Sequence, residues 1–135
     1  MATEIYVDGS ADNFKKEAPS YTAVLLPGEK VRIAECEATT NNEAEYQAVR
    51  EGIRWAACMG MKGKVVIVSD SQLVVNQLKG EYRTREHRLH VLCNETLEEA
   101  HSKEGLKFVY RWCRREENQA GIELENYLKR EKAAC

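Results

Sequence analysis

From residue 64 to 69 the chain reads Lys-Val-Val-Ile-Val-Ser, an almost wholly apolar run of strand length. Such a run marks a strand covered on both faces of a sheet, and it predicts the central strand. Ahead of it, alternating Ile5 and Val7 predict a strand over residues 4–8, followed by strands over 21–26 and 31–38. Pro27-Gly28-Glu29-Lys30 supplies the hairpin turn between the last two. Over 42–59 the period changes: Ala44, Ala48, Ile53, Ala56 and Ala57 recur at helical spacings, with Asn41 or Asn42 as the N-cap and Gly60 and Gly63 as the stop. Beyond the apolar run, the pattern predicts a helix over 71–79, a longer helical region to about 102, a strand over 106–113 and a last helix over 117–132. The order β-β-β-α-β-α-α-β-α implies an α/β fold, a five-stranded mixed sheet of three antiparallel strands and then alternating helices and strands, with helices on both faces.

Composition narrows this picture. The 135 residues, 43% hydrophobic and 31% charged, suit one globular domain spanning 1–135, and no linker, repeat or low-complexity run divides it. No stretch nears the ~20 apolar residues of a membrane span. MATEIYVDGS lacks the layout of a secretory signal, so a cytoplasmic protein with no membrane contact is expected. Cys36, Cys58, Cys93, Cys113 and Cys135 are odd in number and form no CxxC pair; they give neither a zinc site nor a complete disulfide framework. Mostly buried thiols are expected, with a bridge to Cys135 left open. A net charge of -2 argues against coating nucleic acid by bulk attraction. Locally, Lys79, Arg83, Arg85, His87, Arg88 and His90 form one basic cluster and Arg111, Arg114 and Arg115 another. Either a phosphate-binding patch or a solvated helix face accounts for the first.

Candidate chemistry rests on three acids. Asp8 lies in the first strand, Glu45 opens the first long helix, and Asp70 follows the apolar strand. Strand ends are where α/β sheets collect ligands. Singly, each has an ordinary explanation: Asp8 can open a turn, Glu45 can close a capping box with Asn42, and Asp70 can cap the next helix. Their contexts change the balance. YVDGS, TTNNEAEYQAV and IVSDSQLVVNQL resemble the first three signature motifs of type 1 ribonuclease H, in order and with similar spacing, and VYRWCRREEN continues the resemblance more weakly.

That resemblance implies an endoribonuclease that hydrolyses the RNA strand of RNA/DNA hybrids with two Mg²⁺ or Mn²⁺ ions, Asp8, Glu45 and Asp70 being three of four metal-binding catalytic residues. The family's fourth carboxylate would fall on Ile122, which cannot ligate. Asn126, one turn later, is the expected fourth ligand, with Glu123 competing; if Asn126 fills the place, Asn126→Asp should lower the Mg²⁺ requirement. Gly9, Ser10, Asn41, Asn42 and Gln72 are the implied substrate contacts, reading 2′-hydroxyls in the minor groove. Arg114 and Arg115 stand where many relatives carry a loop histidine, and either contact the scissile phosphate or pair with Glu116 and Glu117. The segment 11–16 departs from the family's glycine- and proline-rich turn, which removes expected contacts there. A monomer without a protein partner is expected. Two other readings stay open: a catalytically weak or dead hybrid-binding module, and a superfamily nuclease acting on DNA.

Overall fold

The computed structural model describes residues 2–11, 19–83 and 85–134. Its elements are β1 (Thr3–Ser10), β2 (Ser20–Leu25), β3 (Arg32–Cys36), α1 (Asn41–Cys58), β4 (Gly63–Ser69), α2 (Gln72–Leu78), α3 (His87–His101), β5 (Leu106–Trp112) and α4 (Gln119–Ala134). The strands form one sheet in the order β3-β2-β1-β4-β5. β1 runs antiparallel to β2 and β2 to β3, while β1 with β4 and β4 with β5 are parallel. Parallel neighbours need long crossovers, and the helices between β3 and β4 and between β4 and β5 provide them.

The apolar strand β4 lies beside the centre, not at it; β1 is the middle strand. An unbroken apolar run reports cover on both faces, and β4 has it, Val65 to Ser69 all being buried. Position across the sheet depends on pairing, which that run does not encode.

Side chains alternate along β1, so its two faces enter different cores. Ile5 and Val7 join Val24, Leu26, Val65 and Ile67 beneath α1, α2 and α3. Tyr6 faces the other way, where Ala120, Leu124, Tyr127 and Leu128 of α4 pack on Tyr21, Ala23 and Leu25. Each fully buried aliphatic side chain contributes roughly 1.5–3 kcal/mol. Arg50 and Arg54 of α1 both pair with Glu99, which holds α3 against α1.

Helix starts differ from expectation by a residue or two, for local reasons. Thr40, not Asn41 or Asn42, caps α1, its hydroxyl accepting from the Glu43 amide at 3.2 Å. Glu43 in turn accepts from the amide and hydroxyl of Thr39. Ser71 caps α2 by accepting from Val74 N–H, so Asp70 is not needed as a cap. A single 3-10 turn over Arg115–Glu117 delays α4 to Gln119. Cys93 and Cys113 are buried thiols as expected, but Cys36 is only half-buried and Cys58 is exposed. The bridge considered for Cys135 lies outside the described residues. Among the described residues no helix is long and apolar enough to cross a membrane.

Candidate functional site

β1 and α1 touch backbone to backbone at Gly9. A Cβ built there would lie 2.3 Å from the carbonyl carbon and oxygen of Ala44 and 2.5 Å from the Glu45 nitrogen, so only glycine permits the approach. The contact sets Asp8 beside Glu45. Asp70 arrives by register: Tyr6 pairs with Val68 across the parallel β1–β4 ladder, and two residues further along each strand stand Asp8 and Asp70. One carboxylate oxygen from each of Asp8, Glu45 and Asp70 lies within 4.8 Å of the others. The structure thus brings together the three acids singled out in the sequence.

Their setting is electrostatically unfavourable without a cation. Asp8 is 4% exposed and Glu45 7%. Burial is the main cause that pushes Asp8 up to about 6, and the Asp70 charge adds to it; a hydrogen bond with Glu45 and the charge of Arg115 act the other way. Burial, then the Asp8 charge, raises Glu45 well above the usual carboxylate range. Ser69 donates to Glu45 at 3.3 Å and also accepts from the Ser71 amide. Three clustered oxygens, two of the groups buried, fit a hard divalent cation better than any neutral ligand, because its charge would offset both desolvation and mutual repulsion.

Asn118 was not among the expected site residues, yet it organises the centre. It is wholly buried. Its side-chain N–H donates to Val7 O at 2.9 Å and to Asp70 Oδ2 at 3.2 Å, while its Oδ1 accepts from the Gly121 amide at 3.4 Å. One amide therefore ties the central strand, a site carboxylate and the start of α4 together. The available sequence signal was an asparagine heading a helix after a polar turn, which reads only as a cap. Trp112 was also missed; its indole donates to the Asp70 carbonyl at 3.0 Å.

The fourth position departs from expectation. α4 meets the acids at Gly121, where a Cβ would stand 3.1 Å from Asp8 Oδ2 and 3.3 Å from Asp70 Oδ2. A cleft of about 180 Å³ opens beside Asp8 and Glu45, and α4 contributes Gly121, Leu124, Glu125 and Leu128 to its wall. Asn126 is exposed and does not border the cleft. Five residues at about 100° each carry it roughly 140° around the helix from Gly121, so the expected ligand faces away. Glu123 accepts from Gln119 and borders a separate groove with Lys30 and Arg130, so it too is displaced. The helical phase is set by Gly121, one residue before the position taken as reference in the sequence.

The expected substrate contacts divide in the same way. Gly9, Ser10 and Asn41 border the cleft. Asn41 Oδ1 accepts from the Ala11 amide at 2.8 Å, which fastens the end of β1 to the start of α1. Asn42, half-buried, and Gln72, exposed, lie outside the cleft wall. Arg115 borders the cleft near Asp8, whereas Arg114 does not. No ion pair among the described residues involves Arg114 or Arg115. The backbone amide of Arg114 does donate to Glu117 Oε1 at 3.1 Å. In the first basic cluster Arg88 is committed to Glu43 at 2.8 Å. Arg111 of the second is committed to Glu4. Of the segment 11–16, residues 12–16 lie outside the described residues.

Comparison with known proteins agrees with this arrangement. The RNase H family model matches residues 1–123. LC11-RNase H1, in a crystal structure of its complex with an RNA/DNA hybrid, superposes with a TM-score of 0.76 at 26% identity over 90% of this chain and 91% of that one. A structure of LC11-RNase H1 isolated from compost gives 0.73 at 28% identity over 91% of both chains. RNase H1 from the halophilic archaeon Halobacterium salinarum NRC-1 shares the fold, with a TM-score of 0.75 at 22% identity over 92% of this chain and 94% of that one.

Proposed function

The chain belongs to the RNase H family, and from that premise we propose that it is an endoribonuclease cutting the RNA strand of RNA/DNA hybrids. The observation that carries this reading is the meeting of Asp8, Glu45 and Asp70 oxygens within 4.8 Å at the carboxyl ends of two parallel strands. A relative that resembles the chain over nine-tenths of its length was crystallised with such a hybrid, which supports the choice of substrate.

Mg²⁺ or Mn²⁺ held by these three carboxylates would activate a water and stabilise charge developing on the phosphoryl oxygens. The protein's own residues do the positioning. Asn118 and Trp112 fix the Asp70 side chain and backbone before any ligand arrives. Gly9 keeps Asp8 and Glu45 in contact. Arg115, which forms no ion pair among the described residues and borders the cleft beside Asp8, would hold a phosphate oxygen of the strand entering the cleft. Gly9, Ser10 and Asn41 border the same cleft and offer small polar groups to the 2′-hydroxyls that separate RNA from DNA. Lys79, Arg83 and Arg85 are exposed and suit the backbone of the hybrid further from the cut.

Labelled RNA/DNA, RNA/RNA and DNA/DNA duplexes, each offered with Mg²⁺ or Mn²⁺ to the wild type and to Asp8→Asn, test the reading. Cleavage confined to the hybrid and abolished by the substitution is expected. An intact hybrid in both ions, or full activity in Asp8→Asn, would overturn it; tight hybrid binding without cleavage would instead make the chain a binding module of this fold.

A further inference from the structure

Arg88 follows the exposed Lys79, Arg83 and Arg85 along the chain, but its guanidinium is directed at protein. From the first turn of α3 it reaches the start of α1, where Nη1 donates to Glu43 Oε1 at 2.8 Å and to Thr39 Oγ1 at 3.1 Å. Glu43 is buried and also accepts from the Thr39 amide at 3.1 Å and from the Thr39 hydroxyl. A buried charge needs such partners. Burial alone would raise the Glu43 carboxyl; the Arg88 and Thr39 donors outweigh it and hold the group below the usual carboxylate range.

The clamp fastens the segment that joins β3 to α1. Thr40, next in line, caps the helix through the Glu43 amide, and Asn41 after it borders the cleft. Asn41 gives its side-chain oxygen to the Ala11 amide, so its own amide nitrogen is the group it can offer a ligand. Its place is therefore set from β1 on one side and from Arg88, Glu43 and Thr39 on the other. Docking of α3 does not depend on this clamp, because Glu99 near the far end of the helix pairs with both Arg50 and Arg54 of α1.

We propose that Arg88 is a positioning residue for substrate recognition: acting through Glu43 and Thr39, it fixes the segment 39–41 so that Asn41 is presented to the RNA strand, and it does not itself hold a phosphate. The purpose rests on the nuclease reading; the clamp rests on the hydrogen bonds alone. Asp8, Glu45 and Asp70 are placed by other means, the close approach at Gly9 and the β1–β4 register. Loss of the clamp therefore reaches binding and leaves the chemistry.

Arg88→Met and Glu43→Gln, singly and together in the full chain, test the proposal. Hydrogen exchange at the Thr39 amide should quicken at least fivefold in each single variant. By anisotropy of labelled hybrid in Ca²⁺, which prevents turnover, each should weaken binding about fivefold. The double variant should lose no more than either single one, as for two members of one network. KM should rise by the same factor with kcat within twofold of wild type, while Mn²⁺ binding and affinity for a DNA duplex of the same sequence stay unchanged. An arginine that held a phosphate would behave otherwise. Arg88→Met would then weaken both duplexes and lower the slope of log affinity against log salt by about one, and Glu43→Gln, which frees the arginine, would leave hybrid binding unchanged or tighter. Either result overturns the proposal, as does unaltered Thr39 exchange in Arg88→Met. That variant, at an exposed position, carries the test by itself should Glu43→Gln unfold; melting temperatures show which variants are folded. A wild type that binds no hybrid sinks the nuclease reading, and Thr39 exchange then still decides the clamp; hybrid binding and cutting indifferent to Arg88→Met sink the positioning role and leave the reading.

Discussion

The side-chain amide of Asn118 donates to the Asp70 carboxylate at 3.2 Å from a wholly buried position. The same nitrogen serves Val7 O, so truncation strands two acceptors at once. Asn118→Ala should destabilise the protein by about 1–3 kcal/mol, the usual cost of unpaired buried polar groups. Because it frees Asp70 without touching the nucleic-acid surface, kcat for hybrid cleavage should fall at least tenfold while KM changes little. Urea unfolding and steady-state kinetics measure the two effects.

At Gly9 the expectation is harsher. A methyl group 2.3 Å from the Ala44 carbonyl cannot be absorbed by rotating a side chain, since the neighbour is backbone. Gly9→Ala should cost at least about 3 kcal/mol by prising β1 from α1. Thermal unfolding will register the loss, and separation of Asp8 from Glu45 should weaken Mn²⁺ binding in whatever fraction stays folded.

Much of this architecture was legible in the chain. The apolar run at 64–69, the alternation of Ile5 with Val7 and the helical spacing over 42–59 each state which faces are buried, and burial is what those patterns encode. Strand order was not so encoded: β4 carries the stronger apolar signal, yet β1 takes the centre. Asp8, Glu45 and Asp70 were found because their motifs are local. Asn126 falls off the cleft wall, where the sequence placed a ligand, because helical phase in α4 depends on where the helix touches the sheet. That contact is made by Gly121, a residue with no side chain to announce it. Asn118 escaped for a related reason, since its partners Val7 and Asp70 are 111 and 48 positions away in sequence.

Asn126→Asp should therefore leave the Mg²⁺ concentration for half-maximal cleavage unchanged within twofold, as the new carboxylate would project from the exposed side of α4. A titration in which the requirement fell severalfold would return Asn126 to the site.

The two adjacent arginines should behave differently. Arg115→Ala removes a cation that borders the cleft. It should raise KM for the hybrid severalfold and lower the slope of log affinity against log salt by about one. Arg114→Ala, which lies off the cleft wall, should do neither. Fluorescence anisotropy of labelled hybrid over a salt series, in Ca²⁺ to prevent turnover, separates them.

Acidity gives a further check. Burial holds Asp8 up to about 6 in the folded protein, above its ordinary value of 3.8. The folded state therefore keeps this proton while the unfolded chain has already released it. Stability attributable to Asp8 is highest below about pH 4 and is lost as the pH rises through 6, an effect on the order of a few kcal/mol. Metal-free Asp8→Asn should gain on wild type by that order between about pH 4 and pH 8. Denaturant unfolding of both proteins in EDTA will give the difference, and added Mn²⁺ should close it for wild type at the higher pH.

The parallel pairing of β1 with β4 also makes the acid cluster a gauge of correct folding. Side chains alternate faces with every step along a strand, so a slip of one residue in that ladder would send Asp8 and Asp70 to opposite surfaces while leaving almost every backbone bond satisfiable. Cation affinity at this cluster would thus report the alignment of β1 with β4. A misthreaded molecule, however compact, would betray itself by failing to capture the ion.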